Sequence, residues 1–350
     1  MEVLGRTGCG VMSLAASATA PTAFATVDST GTVTLWDTRL RRKDYATVAV
    51  TAQGDGAEAT ELLLASDLHL AAVLSDKVVT TYDLRQLAKV QCYEHPCEAV
   101  TFLSGAHPSG TTSTLFADED GAVVPFDLKL CAPTNHLSQR YFAVEAELPV
   151  PSFGSLPNYC CGLGLLQDGD DGRRLCAVGM DGHGALYADP LRPPERFCVM
   201  DDLVSTGGQV VNPPLPTACG FFENLVAIGR ANGMYSIAAV DDADGVFEVL
   251  AAPGHASNGL CVVTWTDDHR LVTCSVCGEV SVWDVLPLLQ QQPPEEGAED
   301  GDVPPLDVAC SVREATGHQS VVNCGSVLGC GVCVVGDTLG FVTSCSLGRA

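Results

Sequence analysis

Several absences narrow this sequence before any motif is considered. No apolar run approaches the ~20 residues of a membrane-spanning helix, so no such helix is expected in its 350 residues. Basic residues are scarce: 18 Lys and Arg stand against 43 Asp and Glu, a net charge of -25. A body that negative stays in solution and is repelled by nucleic acid and anionic membranes. Asn-X-Ser/Thr sequons are missing. The 17 cysteines fall below the ~8–10% of a disulfide scaffold. Their number is odd and they are scattered, which points to a reducing compartment, cytosol or nucleus, with most thiols serving as small apolar strand residues. There is no Gly-rich phosphate loop ending in Lys-Ser/Thr, no Gly-X-Ser-X-Gly elbow and no His-Glu-X-X-His. Neither enzymatic activity nor a cofactor is expected. Stretches of helix length with a 3.6-residue period are also missing. The segment Val11–Ala20 has the Ala-rich, apolar look of a signal peptide. Glu2 is acidic, however, and Arg6 is the only nearby cation, so a first strand is the better expectation.

What the chain does have is a repeat. Seven times a tight turn is followed, five residues on, by a strand end. The clearest copy is Gly31-Thr32-Val33-Thr34-Leu35-Trp36-Asp37, echoed by Gly278-Glu279-Val280-Ser281-Val282-Trp283-Asp284. Weaker copies run from Lys77 to Tyr82-Asp83, Gly121 to Phe126-Asp127, Gly182 to Tyr187, Gly233 to Ala238 and Gly340 to Cys345. From Trp36 onward the ends are 46, 44, 61, 51, 45 and 62 residues apart. The shorter steps fit the ~40–45-residue blade of a WD-repeat propeller. The longer ones carry inserts, Pro149–Pro157 and Pro287–Pro305. A 350-residue chain exceeds the ~250–300 at which one core usually stops growing, and a ring of small sheets solves that problem because each adds its own slice of core. The expected fold is all-β: one seven-bladed propeller over residues 1–350, with Met1–Leu4 lent to the last blade as its outer strand. Residues 287–305, rich in Pro, Gln and acids, are expected to be a disordered loop on the sixth blade.

Polar residues recur with the strands. Asp28, Asp76, Asp118, Asp181 and Asp337 precede third strands, where an Asp accepts backbone N–H bonds and tolerates turn conformations. Gly254-His255 and Gly317-His318 lie 28 and 27 residues before Trp283 and Cys345. In WD-repeat proteins such a His and Asp join the Trp in a buried network. The sixth unit has Val276-Cys277 where that Asp is expected, and the seventh lacks the Trp. Cys274/Cys277 and Cys330/Cys333 have zinc-ligand spacing. Strand residues three apart face opposite ways and the pairs belong to different units, so no metal is expected.

Half of the cations follow the strand ends: Arg39, Arg41, Arg42, Lys43, Arg85, Lys89, Lys129, Arg192 and Arg196. The bland account is that turns are exposed and favour Lys and Arg. The other is a basic interaction face on an acidic body. Trp36-Asp37-Thr38-Arg39, Tyr82-Asp83-Leu84-Arg85 and Phe126-Asp127-Leu128-Lys129 resemble the Trp-Asp-X-Arg motif of WD-repeat substrate receptors. Those receptors dock on the damaged-DNA-binding adaptor of cullin-4 ubiquitin ligases. The stretch Gly207-Gly208-Gln209-Val210-Val211-Asn212-Pro213-Pro214-Leu215-Pro216 resembles the linker before the fifth blade in the WD repeat-containing protein 53 family, where it follows an acidic run, here Asp201-Asp202. The resemblance implies a non-enzymatic interaction scaffold associated with the ligase adaptor, partnered by proteins rather than by membrane or nucleic acid. A scaffold of some other complex is the alternative.

Overall fold

The computed structural model describes residues 2–40, 44–48, 58–65, 69–104, 113–119, 123–133, 160–168, 172–180, 182–187, 195–198, 215–241, 245–253, 258–266, 268–285 and 309–348. Arg41, Arg42, Lys43, Asp181, Arg192, His255, the 287–305 insert and the Gly207–Pro214 stretch lie outside them. No described residue is helical, so no described segment is a helix able to cross a membrane. The described residues are all-β, mostly in small antiparallel sheets.

The N-terminal strand β1 (Glu2–Arg6) is set apart from the strands that follow it. Next, β2 (Val11–Ala16), β3 (Ala23–Asp28), β4 (Val33–Asp37) and β5 (Asp44–Val48) make a four-stranded sheet in chain order. The same order holds for β6 (Ala59–Ala65), β7 (Leu70–Ser75), β8 (Val78–Asp83) and β9 (Ala88–Glu94). An eight-stranded sheet contains β10 (Ala99–Ser104), β11 (Ser113–Asp118), β12 (Val123–Asp127) and β13 (Ala132–Pro133). Its other half is β14 (Cys160–Asp168), β15 (Gly172–Gly179), β16 (His183–Tyr187) and β17 (Glu195–Cys198). The halves join through a parallel pairing of β10 with β14, Leu103 opposite Leu163 and Ser104 opposite Gly164. Two more four-stranded sheets follow, β18 (Pro216–Phe222), β19 (Leu225–Arg230), β20 (Met234–Asp241) and β21 (Gly245–Pro253), then β22 (Leu260–Trp265), β23 (Arg270–Ser275), β24 (Glu279–Asp284) and β25 (Ala309–Ala315). The last contains β26 (Val322–Leu328), β27 (Val332–Asp337) and β28 (Phe341–Ser346), with β1 as its fourth strand: Glu2 pairs with Ser344 and Arg6 with Phe341. Of the signal-like stretch Val11–Ala20, Val11–Ala16 form strand β2.

Each strand's composition matches its depth. The second strand Leu225-Val226-Ala227-Ile228-Gly229-Arg230 is buried throughout and others are buried except at their ends, as expected of small apolar runs covered on both faces. The fourth strand β9, Ala88-Lys89-Val90-Gln91-Cys92-Tyr93-Glu94, is exposed almost end to end. The core is therefore distributed. Seven hydrophobic clusters each bridge two successive sheets or half-sheets. One of them joins Leu4, Val334 and Val342 of the last sheet to Val11, Phe24 and Trp36 of the first.

The turns into the third strands share one device. Gly31, Gly182, Gly233, Gly278 and Gly340 have φ of 81°, 81°, 85°, 81° and 86°, and each donates its N–H to the carbonyl three residues back. Left-handed backbone is cheap only for glycine. The Asp76-Lys77 turn is two residues shorter, and Asp76 itself takes φ 56°, as Asp can. A second device was not visible in the sequence. Every first strand bulges near its start, between Val11/Ser13, Ala59/Glu61, Ala99/Thr101, Cys160/Gly162, Pro216/Ala218, Leu260/Val262 and Val322/Cys324. Bulges sharpen the twist of a strand.

The bulge in β6 places Glu61 against β2. Its Oε1 accepts the Ser13 hydroxyl at 2.9 Å, and Ser13 Oγ accepts the Leu62 N–H at 3.1 Å. Burial pushes the Glu61 carboxyl from 4.5 up to about 7, although the side chain keeps some exposure. Because the folded value lies above the unfolded one, Glu61 favours the fold fully only below about pH 4.5, and that contribution fades as pH rises toward 7. Glu61→Gln should therefore gain about 1–2 kcal/mol over the parent above pH 7 and converge with it near pH 4.5, the partial exposure reducing the full effect. Urea denaturation at both pH values checks this. A pH-independent difference would contradict it.

Candidate partner-binding face

The third strands β4, β8 and β12 end on an acid that organises the next turn. Asp37 Oδ1 accepts the Arg39 N–H at 2.9 Å. Asp83 Oδ1 accepts Arg85 N–H at 2.8 Å and Gln86 N–H at 3.3 Å. Asp127 Oδ1 accepts Lys129 N–H at 2.8 Å and Leu130 N–H at 2.9 Å. These are Asx turns, which a carboxylate at the head of a turn favours.

In the first two turns the same carboxylate also grips the guanidinium. Arg39 donates Nε to Asp37 Oδ1 at 3.1 Å and Nη2 to Oδ2 at 2.7 Å. Arg85 repeats the fork on Asp83 at 3.4 and 3.2 Å. The arginine side chains are 70% and 63% exposed, while the two acids are nearly covered. The Arg39 side-chain bonds hold the Asp37 carboxyl down to about 2, and Arg85 lowers that of Asp83. Each guanidinium is thereby oriented by its own turn while its outer edge faces solvent. Lys129 has the backbone bond without a fork. Leu40, Leu87 and Leu130 are exposed in the same three turns. Lys89 lies exposed on β9, and Arg196 lies on β17.

The repeat residues divide by role. Asp28 Oδ1 accepts the N–H groups of Thr30 and Thr32 at 3.0 and 2.9 Å. Asp337 Oδ1 does the same for Leu339 and Phe341 at 2.9 and 2.8 Å, and its Oδ2 lies 2.7 Å from His318 Nδ1. His318 Nε2 is 2.7 Å from Thr343 Oγ1. A neutral imidazole satisfies both by donating Nδ1–H and accepting the threonine proton. Asp76 has no counterpart of these bonds, because its shorter turn puts Ser75 at the strand end. In the sixth unit the position equivalent to Asp28 is Ser275, not Val276-Cys277. Gly278 N–H bonds to the Ser275 carbonyl as Gly31 does to that of Asp28, and Ser275 Oγ accepts Glu279 N–H at 3.2 Å. In the fifth, buried Arg230 stands there and reaches Ser236.

Trp36 and Trp283 each donate indole Nε1 to a threonine hydroxyl on the second strand, Thr26 at 2.9 Å and Thr273 at 2.8 Å. Asp284 ends β24 but is exposed, and no Arg follows it two positions on. A histidine missed in the sequence, His95, sits 3.0 Å from Asp118 Oδ2 and edge-on to Phe116. Its signal was its place just before a first strand, as for His318, with Glu94 in place of the usual Gly. Cys274 and Cys333 are buried in one cluster, whereas Cys277 and Cys330 are exposed in turns between different strands. Among the described residues no cluster of His, Cys, Asp or Glu is arranged to hold a metal.

No family model matches the chain, and no curated protein matches it.

Proposed function

We propose that the chain is a seven-bladed WD-repeat β-propeller acting as a non-enzymatic protein-interaction scaffold, a substrate-receptor subunit of a cullin-4-type ubiquitin ligase. Counting the eight-stranded sheet as two joined blades gives seven units, the last taking β1 as its outer strand. Three features support the ring. The first strands neighbour one another in succession, from β2 through β6, β10, β14, β18, β22 and β26 back to β2. The bulge recurs in every first strand, and an apolar cluster fills each junction. In such a ring the turns bearing Arg39, Arg85 and Lys129 share one face.

The observation that carries the docking role is the pair of Asp–Arg forks. An exposed, pre-oriented guanidinium loses little entropy when it engages a partner's carboxylate. The exposed leucines beside it fit a partner surface that mixes acids with aliphatic side chains. Arg39→Ala combined with Arg85→Ala should cut recovery of the ligase adaptor in affinity purification by about tenfold or more. Unfolding free energy should stay within about 1 kcal/mol of the parent, since exposed ion pairs contribute little. Undiminished recovery would remove the docking assignment. The forks also favour a second reading, in which each Arg merely braces its own turn and the chain serves another complex. Wild-type purifications containing no ligase subunit would favour that one.

A further inference from the structure

Three thiols, Cys161, Cys176 and Cys219, gather where the fourth and fifth units meet, and Cys160 beside them faces the third unit. Cys160 and Cys176 are buried in the strand pair β14–β15, and burial pushes both thiols up. Cys161 and Cys219 differ from them. They lie on neighbouring first strands, β14 and β18, their sulfurs are 3.5 Å apart, and both keep partial exposure. Cys161 is the bulge residue of β14, displaced from the regular pairing.

The close approach depends on glycine. A Cβ on Gly162 would stand 2.5 Å from Cys219 Cβ, and one on Gly164 would overlap the Phe221 ring. With both positions bare, β18 packs directly on β14. A cystine has S–S of about 2.05 Å, so closing the bond needs a relative shift of about 1.5 Å. Elsewhere Cys333 faces Cys345 in register across β27 and β28, but both are fully buried, out of reach of a dissolved oxidant.

We propose that Cys161 and Cys219 form an oxidative modification site, a peroxide-driven disulfide linking two adjacent units. One thiolate attacks hydrogen peroxide, becoming a sulfenic acid with release of hydroxide, which takes up a proton to give water. The second thiol attacks that sulfur, the S–S bond forms, and a second water leaves. Two thiols lose two electrons and two protons in all, and one peroxide is reduced to two waters. A dithiol reductant reverses the bond by exchange. The link closes a loop from Cys161 to Cys219 and so constrains the unfolded chain.

The test treats the full-length protein with hydrogen peroxide, blocks residual thiols and maps peptides without reduction. A Cys161–Cys219 cross-linked peptide, lighter by two hydrogens than the two thiol peptides and lost on adding dithiothreitol, is expected. Oxidised wild type should melt roughly 5 °C higher than reduced. Cys161→Ser and Cys219→Ser should each lose both the cross-link and the rise, with the reduced form of each variant as its own baseline. Recovery of Cys161 and Cys219 as separate alkylated or sulfinic species, under conditions that oxidise exposed Cys277, would overturn the proposal. So would cross-links involving only other cysteines.

Discussion

Trp36→Ala is expected to destabilise the protein by about 3–5 kcal/mol, the cost of emptying a large buried site. The indole is fully buried and lies parallel to the Phe24 ring, centroids 5.8 Å apart. Its neighbours Leu4, Val11, Leu14, Leu328, Val334 and Val342 come from the first and last sheets together. A Cβ on Gly5 of β1 would stand 2.8 Å from its Cζ3, so the terminal strand packs directly on the ring. Truncation thus opens a cavity at the junction that unites the two ends of the chain, and it removes the hydrogen bond to Thr26. Trp36→Phe keeps most of the volume but orphans the Thr26 hydroxyl, and about 1–2 kcal/mol is expected. Equilibrium urea unfolding separates the three proteins. A loss below about 1 kcal/mol for the alanine variant would mean that the site collapses without cost, against the packing described.

Asp337→Ala should cost a comparable amount, about 3–4 kcal/mol, by a different route. The carboxylate is almost wholly covered and meets two backbone N–H groups and His318 at once. Alanine leaves all three polar partners without it in a region closed to water. The damage is local as well as global, because the turn it organises launches β28, the strand that pairs with β1. Amide exchange at Val342–Ser344 should therefore accelerate more than exchange in β23. Asp337→Asn should be milder, near 1 kcal/mol. Its amide oxygen still accepts the turn N–H groups, while its NH2 can donate to Nδ1 once the ring proton moves to Nε2 and faces the Thr343 oxygen. If Asn proves as harmful as Ala, the His318 tautomer argument fails.

These two residues also show how legible the molecule was. Both were visible in the sequence as repeat positions, Trp36 by its place at a strand end and Asp337 by its place before a glycine turn. The acid position of the sixth unit was read at Val276-Cys277 although Ser275 occupies it, because counting back from Trp283 cannot see which residue caps the strand. His95 was missed because Glu94 replaces the glycine that marks the other histidines. Arg39 and Arg85 were read as outward cations, and they are, but the carboxylate of the same turn holds each one. The bulge left no trace in the sequence at all, since Met12, Thr60, Val100, Cys161, Thr217, Cys261 and Asn323 share no chemistry.

The strand-and-turn order follows from the chain alone. Strand-long apolar runs and glycines or acids at turns act over a few residues, so the strand ends could be found by inspection to within a residue or so, except in the fifth unit, where the strand expected to end at Ala238 runs on to Asp241. Which distant residues meet was decided by folding. Strand register, the bulges and the packing of sheet on sheet bring Glu61 to Ser13, His95 to Asp118, and Cys161 to Cys219. Those encounters depend on side-chain volumes and backbone spacing summed over whole sheets, and no local pattern encodes them.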